Sequence, residues 1–176
     1  KAWASARNGD REGFQKALPG LDSYLLYPYL QYEDLRHRRS RIDDEEMVTF
    51  LDAHRSWAFA SGLEKSWLRS LGKRGQWNSL LKYGAESKDT EVRCHLANAR
   101  IKAGQTDGLL PVAQGLWAAG KSQPDACDPV FAWLKDQPEG ITPGLAWERI
   151  RRAMDARQPQ LSRYLARYLE KNEQVW

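Results

Sequence analysis

Residues 102–110 read KAGQTDGLL. Lys102 and Ala103 close an amphipathic run, Gly104 can take the positive φ that ends a helix, and Leu109–Leu110 open a fresh apolar pattern. The stretch therefore reads as the turn of a helical hairpin. The same order of residues returns at 6–14 (ARNGDREGF), 72–80 (GKRGQWNSL) and 155–163 (DARQPQLSR). Gly9, Gly75 and Gly104 mark the first three turns, 66 and 29 residues apart, and Gln158 marks the fourth, 54 further on. These intervals form an imperfect period near the roughly 33–34 residues of helix-turn-helix repeats. A pair of such short helices cannot bury its own apolar face, but stacking on the next pair does so. The expected fold class is therefore all-α, a right-handed superhelix or solenoid of α-helical hairpin repeats. The irregular spacing leaves a compact helical bundle as the competing arrangement.

Outward from that turn, apolar residues recur at intervals of three and four, and no alternating β-branched run appears. Expected helices cover 2–7, 11–18, 28–38, 44–53, 57–72, 76–83, 90–103, 107–119, 129–135, 143–156 and 159–170. Asp43, with Glu46 three residues on, has the form of a capping box. Ser56 precedes a helix opening at Trp57, and Asp89 precedes one running through Cys94. Asp128–Pro129 and Thr142–Pro143 each put a capping oxygen before a proline at the first helical position.

The 176 residues suffice for one compact core or a short row of repeats, and with 41% hydrophobic residues the chain is not disordered. The charge is 27 basic residues against 23 acidic, a net +4. Basic RHRRSR at 36–41 is followed at once by acidic DDEE at 43–46. Such interleaving describes a self-compensated helix junction and argues against a nucleic-acid interface. No apolar run reaches membrane-spanning length, and no signal peptide is visible. Residue 1 is Lys, and Ala2–Trp3 already read as helical, so the sequence is expected to start inside a larger product. At the other end YLARYLEKNEQVW stops on Val175–Trp176 without a cap; either something packs on these residues or the end frays.

Eight tryptophans could stack on sugar rings or bases. Their helical spacing, as in Trp57, Trp67 and Leu71, assigns most of them to gaps between short helices. His37, His54 and His95 are too scattered for a metal site, and no phosphate loop or nucleophile elbow is present. The carboxylates lie on charged helix faces rather than in apolar runs. No catalytic, cofactor-binding or metal-binding residue is expected. Two cysteines remain. Cys94 and Cys127 are 33 residues apart, one helix-pair period, which brings a residue back beside its neighbour. A bridge between them is worth about 3.5–4 kcal/mol by loop entropy and implies an oxidising compartment. The other reading is a pair of inert buried thiols, although Cys127, between Pro124 and Pro129 in a polar loop, is not expected to be fully buried.

LYPYLQYEDLR at 26–36, LWAAGKSQPDACDPVF at 116–131 and LAWERIRRAM at 145–154 together resemble the N-terminal superhelical region of the soluble lytic transglycosylases of Gram-negative bacteria. The resemblance implies a periplasmic parent enzyme that cleaves peptidoglycan glycan strands between MurNAc and GlcNAc, giving 1,6-anhydro products without hydrolysis. It implies a disulfide between Cys94 and Cys127. It also implies that residues 1–176 form the U-shaped domain, with a linker and a lysozyme-like catalytic domain elsewhere. The family's catalytic Glu-Ser stands ahead of a GLMQ segment. Here the one Glu-Ser pair, Glu86–Ser87, is followed by Lys88-Asp89-Thr90, so Glu86 reads as a surface loop residue. The partners implied are peptidoglycan strands and the remaining domains of the polypeptide, with no nucleic acid, no membrane span and no cofactor. The alternative is a stand-alone, tetratricopeptide-like protein-interaction module.

Overall fold

The computed structural model describes residues 1–173; the expectation about Val175 and Trp176 lies outside them. Among the described residues there are helices and turns and no strand. In chain order the helices are α1 (Ala2–Asn8), α2 (Arg11–Ala17), α3 (Tyr27–Arg38), α4 (Asp44–Ala53), α5 (Ala60–Lys73), α6 (Trp77–Gly84), α7 (Thr90–Lys102), α8 (Leu109–Trp117), α9 (Asp128–Lys135), α10 (Pro143–Asp155) and α11 (Pro159–Leu165). They group into two compact units, Lys1–Tyr83 and the residues from Gly84 onward.

All four turns singled out in the sequence close in the same way. At the end of α7 the Gly104 amide donates to the Ile101 carbonyl (3.1 Å) and the Gln105 amide to the Arg100 carbonyl (2.9 Å). The paired bonds recur at Gly9 and Asp10, at Gly75 and Gln76, and at Arg157 and Gln158. This is the Schellman closure, which satisfies carbonyls that a helix end leaves without partners. It needs a left-handed residue: φ is 72° at Gly9, 69° at Gly75 and 68° at Gly104. In the fourth turn the position falls on Arg157 (φ 56°) rather than Gln158, and no other non-glycine described has positive φ.

In the first unit α1 packs on both α2 and α3, and Ala2, Ala6, Phe14 and Leu30 bury one another between them. Asp43 caps α4 as expected, accepting from the amides of Glu45 (2.9 Å) and Glu46 (3.4 Å). The helix expected from Trp57 begins later, at Ala60, and Ser56 does not cap it. Residues 55–59 form consecutive turns instead, because Phe59 is drawn into an aromatic group with Tyr29, Tyr32, Phe50, His54 and Trp57. Burial of one large ring outweighs the local start signal. α5 then buries Leu63, Trp67, Leu68 and Leu71 on one stripe.

In the second unit α7, α8 and α9 pack against one another, and α10 packs on α11. Asp89 and Thr142 cap α7 and α10 as expected. Asp128 does not cap α9; it is the first helical residue, preceded by a 3₁₀ turn at Asp125–Cys127.

Two substitutions test the turn geometry. An added Cβ at Gly104 would meet nothing within 4 Å, so Gly104→Ala isolates the backbone term and is expected to lower stability by about 1 kcal/mol. Arg157→Gly relieves the same strain and is expected to raise stability by about 0.5–1 kcal/mol. Urea unfolding monitored by circular dichroism reads both; equal shifts in one direction would contradict the assignment.

Candidate functional site

The sequence nominated one pair of side chains, and the fold brings them together. Asp89 starts α7, which carries Cys94 one turn in. The 3₁₀ turn, closed by the Cys127 amide on the Pro124 carbonyl (2.8 Å), swings Cys127 back against α7. Cys94 and Cys127 are disulfide-bonded with Cα atoms 4.8 Å apart. Both are completely buried, in a core with Leu109, Leu116, Val130 and Leu134. Cys127 is thus more buried than its polar, proline-flanked loop suggested. The loop supplies the turn, and the bond supplies the inward direction.

Two arginines that the sequence reading passed over complete this layer. Arg149 Nε donates to the Ala119 carbonyl (3.1 Å), and Arg152 Nη1 donates to the Ala118 carbonyl (3.2 Å). Both carbonyls lie just past the C-terminus of α8, where cations are favoured by the helix dipole. Arg149 is buried, with its guanidinium 4.6 Å from the centre of the Trp117 ring. Burial pulls its pKa below the ordinary arginine value, with Tyr168 and Tyr164 opposing. Gly120 lets the turn approach so closely, since a Cβ there would run into the Arg152 carbonyl. The only trace of this in the sequence is two arginines on one face of LAWERIRRAM; nothing local names their targets.

In the first unit the basic and acidic runs meet as expected. Arg38 reaches Glu46 with both terminal nitrogens (2.6 and 3.2 Å) and donates from Nε to Asp34 (2.7 Å). Arg11 of α2 stands 3.7 Å from the same buried Asp34. The network ties α2, α3 and α4 together beside a cleft of about 450 Å³, which Phe14, Phe50 and His54 also line. The hydrogen bonds from Arg38 hold the Glu46 carboxyl below the ordinary carboxylate range, against the opposing effect of burial. For Arg38 itself burial works against the charge, yet the bonds to Glu46 and Asp34 outweigh it and raise its pKa.

Trp67 and Trp117 are core residues, at 1% and 2% exposure, while Trp3 is 41% exposed and stacks on Tyr29. Glu86 is exposed in the loop between α6 and α7, where the neighbouring Ser87 hydroxyl accepts from the Asp89 amide (3.3 Å). His37, His54 and His95 are on three different helices or their ends, and no group of His, Cys, Asp or Glu suited to a metal ion occurs among the described residues. Among those residues no helix is long and apolar enough to cross a membrane.

No family model matches the chain. It is homologous to proteins named soluble lytic murein transglycosylase, 34% identical over 152 residues to that of Salmonella typhimurium and 33% to that of Escherichia coli. The match takes in 85% of this chain and 23% of each relative, so the chain spans about a quarter of their length. Among solved structures, the 70 kDa soluble lytic transglycosylase of Escherichia coli superposes with a TM-score of 0.80 at 29% identity. An inactive mutant of the lytic transglycosylase Slt from Pseudomonas aeruginosa gives 0.79 at 30%. Each likeness covers 97% of this chain and 28% of the solved one. The chain has the all-α superhelical class expected from its repeated turns.

Denatured, unreduced protein is expected to show no thiol reactive toward a colorimetric reagent, and two after reduction. The variant C94A/C127A should lose about 2–4 kcal/mol of stability; titratable thiol in unreduced material would contradict the bridge. The lowered carboxyl of Glu46 stabilises the fold above the unfolded-state value and loses that effect as pH falls through its folded value. Glu46→Gln is therefore expected to flatten the acid limb of a stability–pH curve below about pH 4.5, and an unchanged limb would refute the linkage.

Proposed function

We propose that this chain is a non-catalytic helical scaffold belonging to a periplasmic lytic transglycosylase, whose linker and lysozyme-like catalytic domains lie elsewhere in a longer polypeptide. On this reading the parent enzyme cuts peptidoglycan glycan strands without hydrolysis, leaving 1,6-anhydro ends. The wall of stacked hairpins holds or guides the anionic strand. The observation that carries the reading is the joint match in sequence and fold: at least 33% identity over 152 residues to named murein transglycosylases, and a TM-score of 0.80 across 97% of the chain.

The physical features are in keeping with it. A fully buried disulfide between α7 and the start of α9 suits an oxidising compartment such as the periplasm. Side chains that close helix ends and cross-link layers, Arg149, Arg152 and the Arg38 network, give a stiff surface rather than a reaction centre. Glu86 of the one Glu-Ser pair is exposed in a loop, away from any apolar surroundings that would raise a carboxyl into a general acid. A net charge of +4 favours an anionic partner.

The purified chain, incubated with isolated peptidoglycan sacculi, is expected to release no 1,6-anhydro muropeptides above a protein-free blank by chromatography; clear release would overturn the scaffold reading. In co-sedimentation the chain should be retained by sacculi at low salt and released as salt rises. Absence of retention would remove the guiding role.

A further inference from the structure

We infer that the cleft of about 450 Å³ lined by α2, α3 and α4 is a binding site for one uncharged acetamido sugar residue. That the sugar belongs to a glycan strand rests on the function proposed above; the cleft itself rests on geometry and hydrogen bonding in the first unit. Its volume lies within the range of small-ligand pockets, about 300–1,000 Å³. Along α2 and the residue after it, along α3 and along α4, the lining positions are spaced i, i+3, i+4 and i+7, beginning at Arg11, Gln31 and Glu46. That spacing is the core-facing stripe of a helix. A stripe that serves only a core is apolar throughout. Here Phe14, Leu35 and Phe50 give the lining a buried apolar part, and polar side chains stand beside them on all three helices.

Those polar groups have hydrogen-bonding capacity that the fold leaves unused. Asp34 is only 5% exposed. Its contacts with Arg38 and Arg11, at 2.7 and 3.7 Å, both fall on Oδ2, which leaves Oδ1 without a partner among the described residues. A carboxylate buried to that degree ordinarily has its oxygens hydrogen-bonded. Arg11 stands too far from Asp34 for a hydrogen bond, so its N–H groups keep their donor capacity. Gln15 of α2, Gln31 of α3 and Thr49 of α4 also line the cleft, and their side chains make no hydrogen bond among the described residues. Each of these amides both donates and accepts, and so does the hydroxyl. The formal charges in the lining cancel, Arg11 and Arg38 against Asp34 and Glu46, so neither an anion nor a cation is favoured. The ligand that fits is therefore neutral, rich in hydroxyl and amide groups, and apolar over a small area. An acetamido sugar combines these on one ring: a methyl group for the apolar part, an amide for the two glutamines, and hydroxyls for Asp34, Arg11 and Thr49. An extended peptide spaces its residues about 3.3 Å apart along a track and brings no cluster of hydroxyls.

The test titrates the 176-residue chain with N,N′-diacetylchitobiose, a neutral disaccharide of acetamido sugars, and follows amide chemical shifts. Shifts centred on Gln15, Gln31, Asp34 and Thr49 are expected; no change there would overturn the site. Gln31→Ala and Thr49→Ala should each weaken binding about fivefold, the loss of one hydrogen bond, while keeping the wild-type circular dichroism spectrum. Gln105→Ala, at an exposed position of the second unit, should bind as the wild type does, and equal losses in all three variants would contradict the assignment. Because the lining is neutral overall, affinity should change less than about twofold between low and high salt; a steep fall would mean recognition of charge and would refute the proposal. Cellobiose, which lacks the acetamido groups, should bind about tenfold more weakly, and equal affinity would remove the acetamido assignment. Tighter binding of an N-acetylated, amidated alanine tripeptide at the same amides would overturn the sugar in favour of a peptide. Retention by sacculi is scored apart. Chitobiose bound in the cleft without retention keeps the site and removes strand guidance, whereas retention with the cleft amides unmoved removes the site and leaves guidance in place.

Discussion

Short helices have many ends, and each end leaves backbone groups without partners. The helices here run from seven residues in α1 to fourteen in α5, so a large share of the backbone lies within one turn of a terminus. The structure is organised around that constraint. Four hairpin turns close by the same pair of amide bonds onto a left-handed residue. Asp10, Asp43, Asp89 and Thr142 satisfy amides at helix starts. The end of α8, buried against α10, is served from across the layer by Arg149 and Arg152. With the ends satisfied, the apolar stripes of neighbouring helices can meet without burying unpaired backbone, and each layer draws its stability from the next.

The disulfide and the charged networks divide the remaining work. In the second unit the Cys94–Cys127 bond joins α7 to the turn that launches α9, so a proline-bracketed loop is held inside the core rather than in solvent. In the first unit the joining is ionic: Asp34 is shared by Arg11 and Arg38, and Arg38 is shared by Asp34 and Glu46. Charge used this way is consumed internally and offers little to a ligand. A second recess of this unit is lined by Arg39, Lys65, Arg69 and Lys73.

Local chemistry was legible wherever it is decided within a turn or two of helix. The left-handed glycines, the caps at Asp43, Asp89 and Thr142 (though not at Asp128), the compensation of RHRRSR by DDEE and the helical order of KAGQTDGLL all depend on residues close in the chain. The resemblance carried by SQPDACDP and its flanking segments pointed to the same family as the later sequence and fold matches. The start of α5 was misread because Phe59 has distant aromatic partners, and those partners override Ser56. The fourth turn was marked at Gln158, one residue past the left-handed Arg157, because no glycine there identifies the position.

What the sequence determined by itself was the class of structure and the positions where helices stop, since hydrogen bonds at helix ends are short-range. It also pointed to a bridge between the two cysteines, through their 33-residue spacing and the family resemblance. Tertiary structure alone decided that Cys127 lies fully inside, that Arg149 and Arg152 cap a helix about thirty residues away in the chain, and that Arg39 shares a recess with Lys65, Arg69 and Lys73. Each of these joins residues from different helices, and the distance between helices is set by core packing, a sum over many contacts that no single stretch of sequence contains.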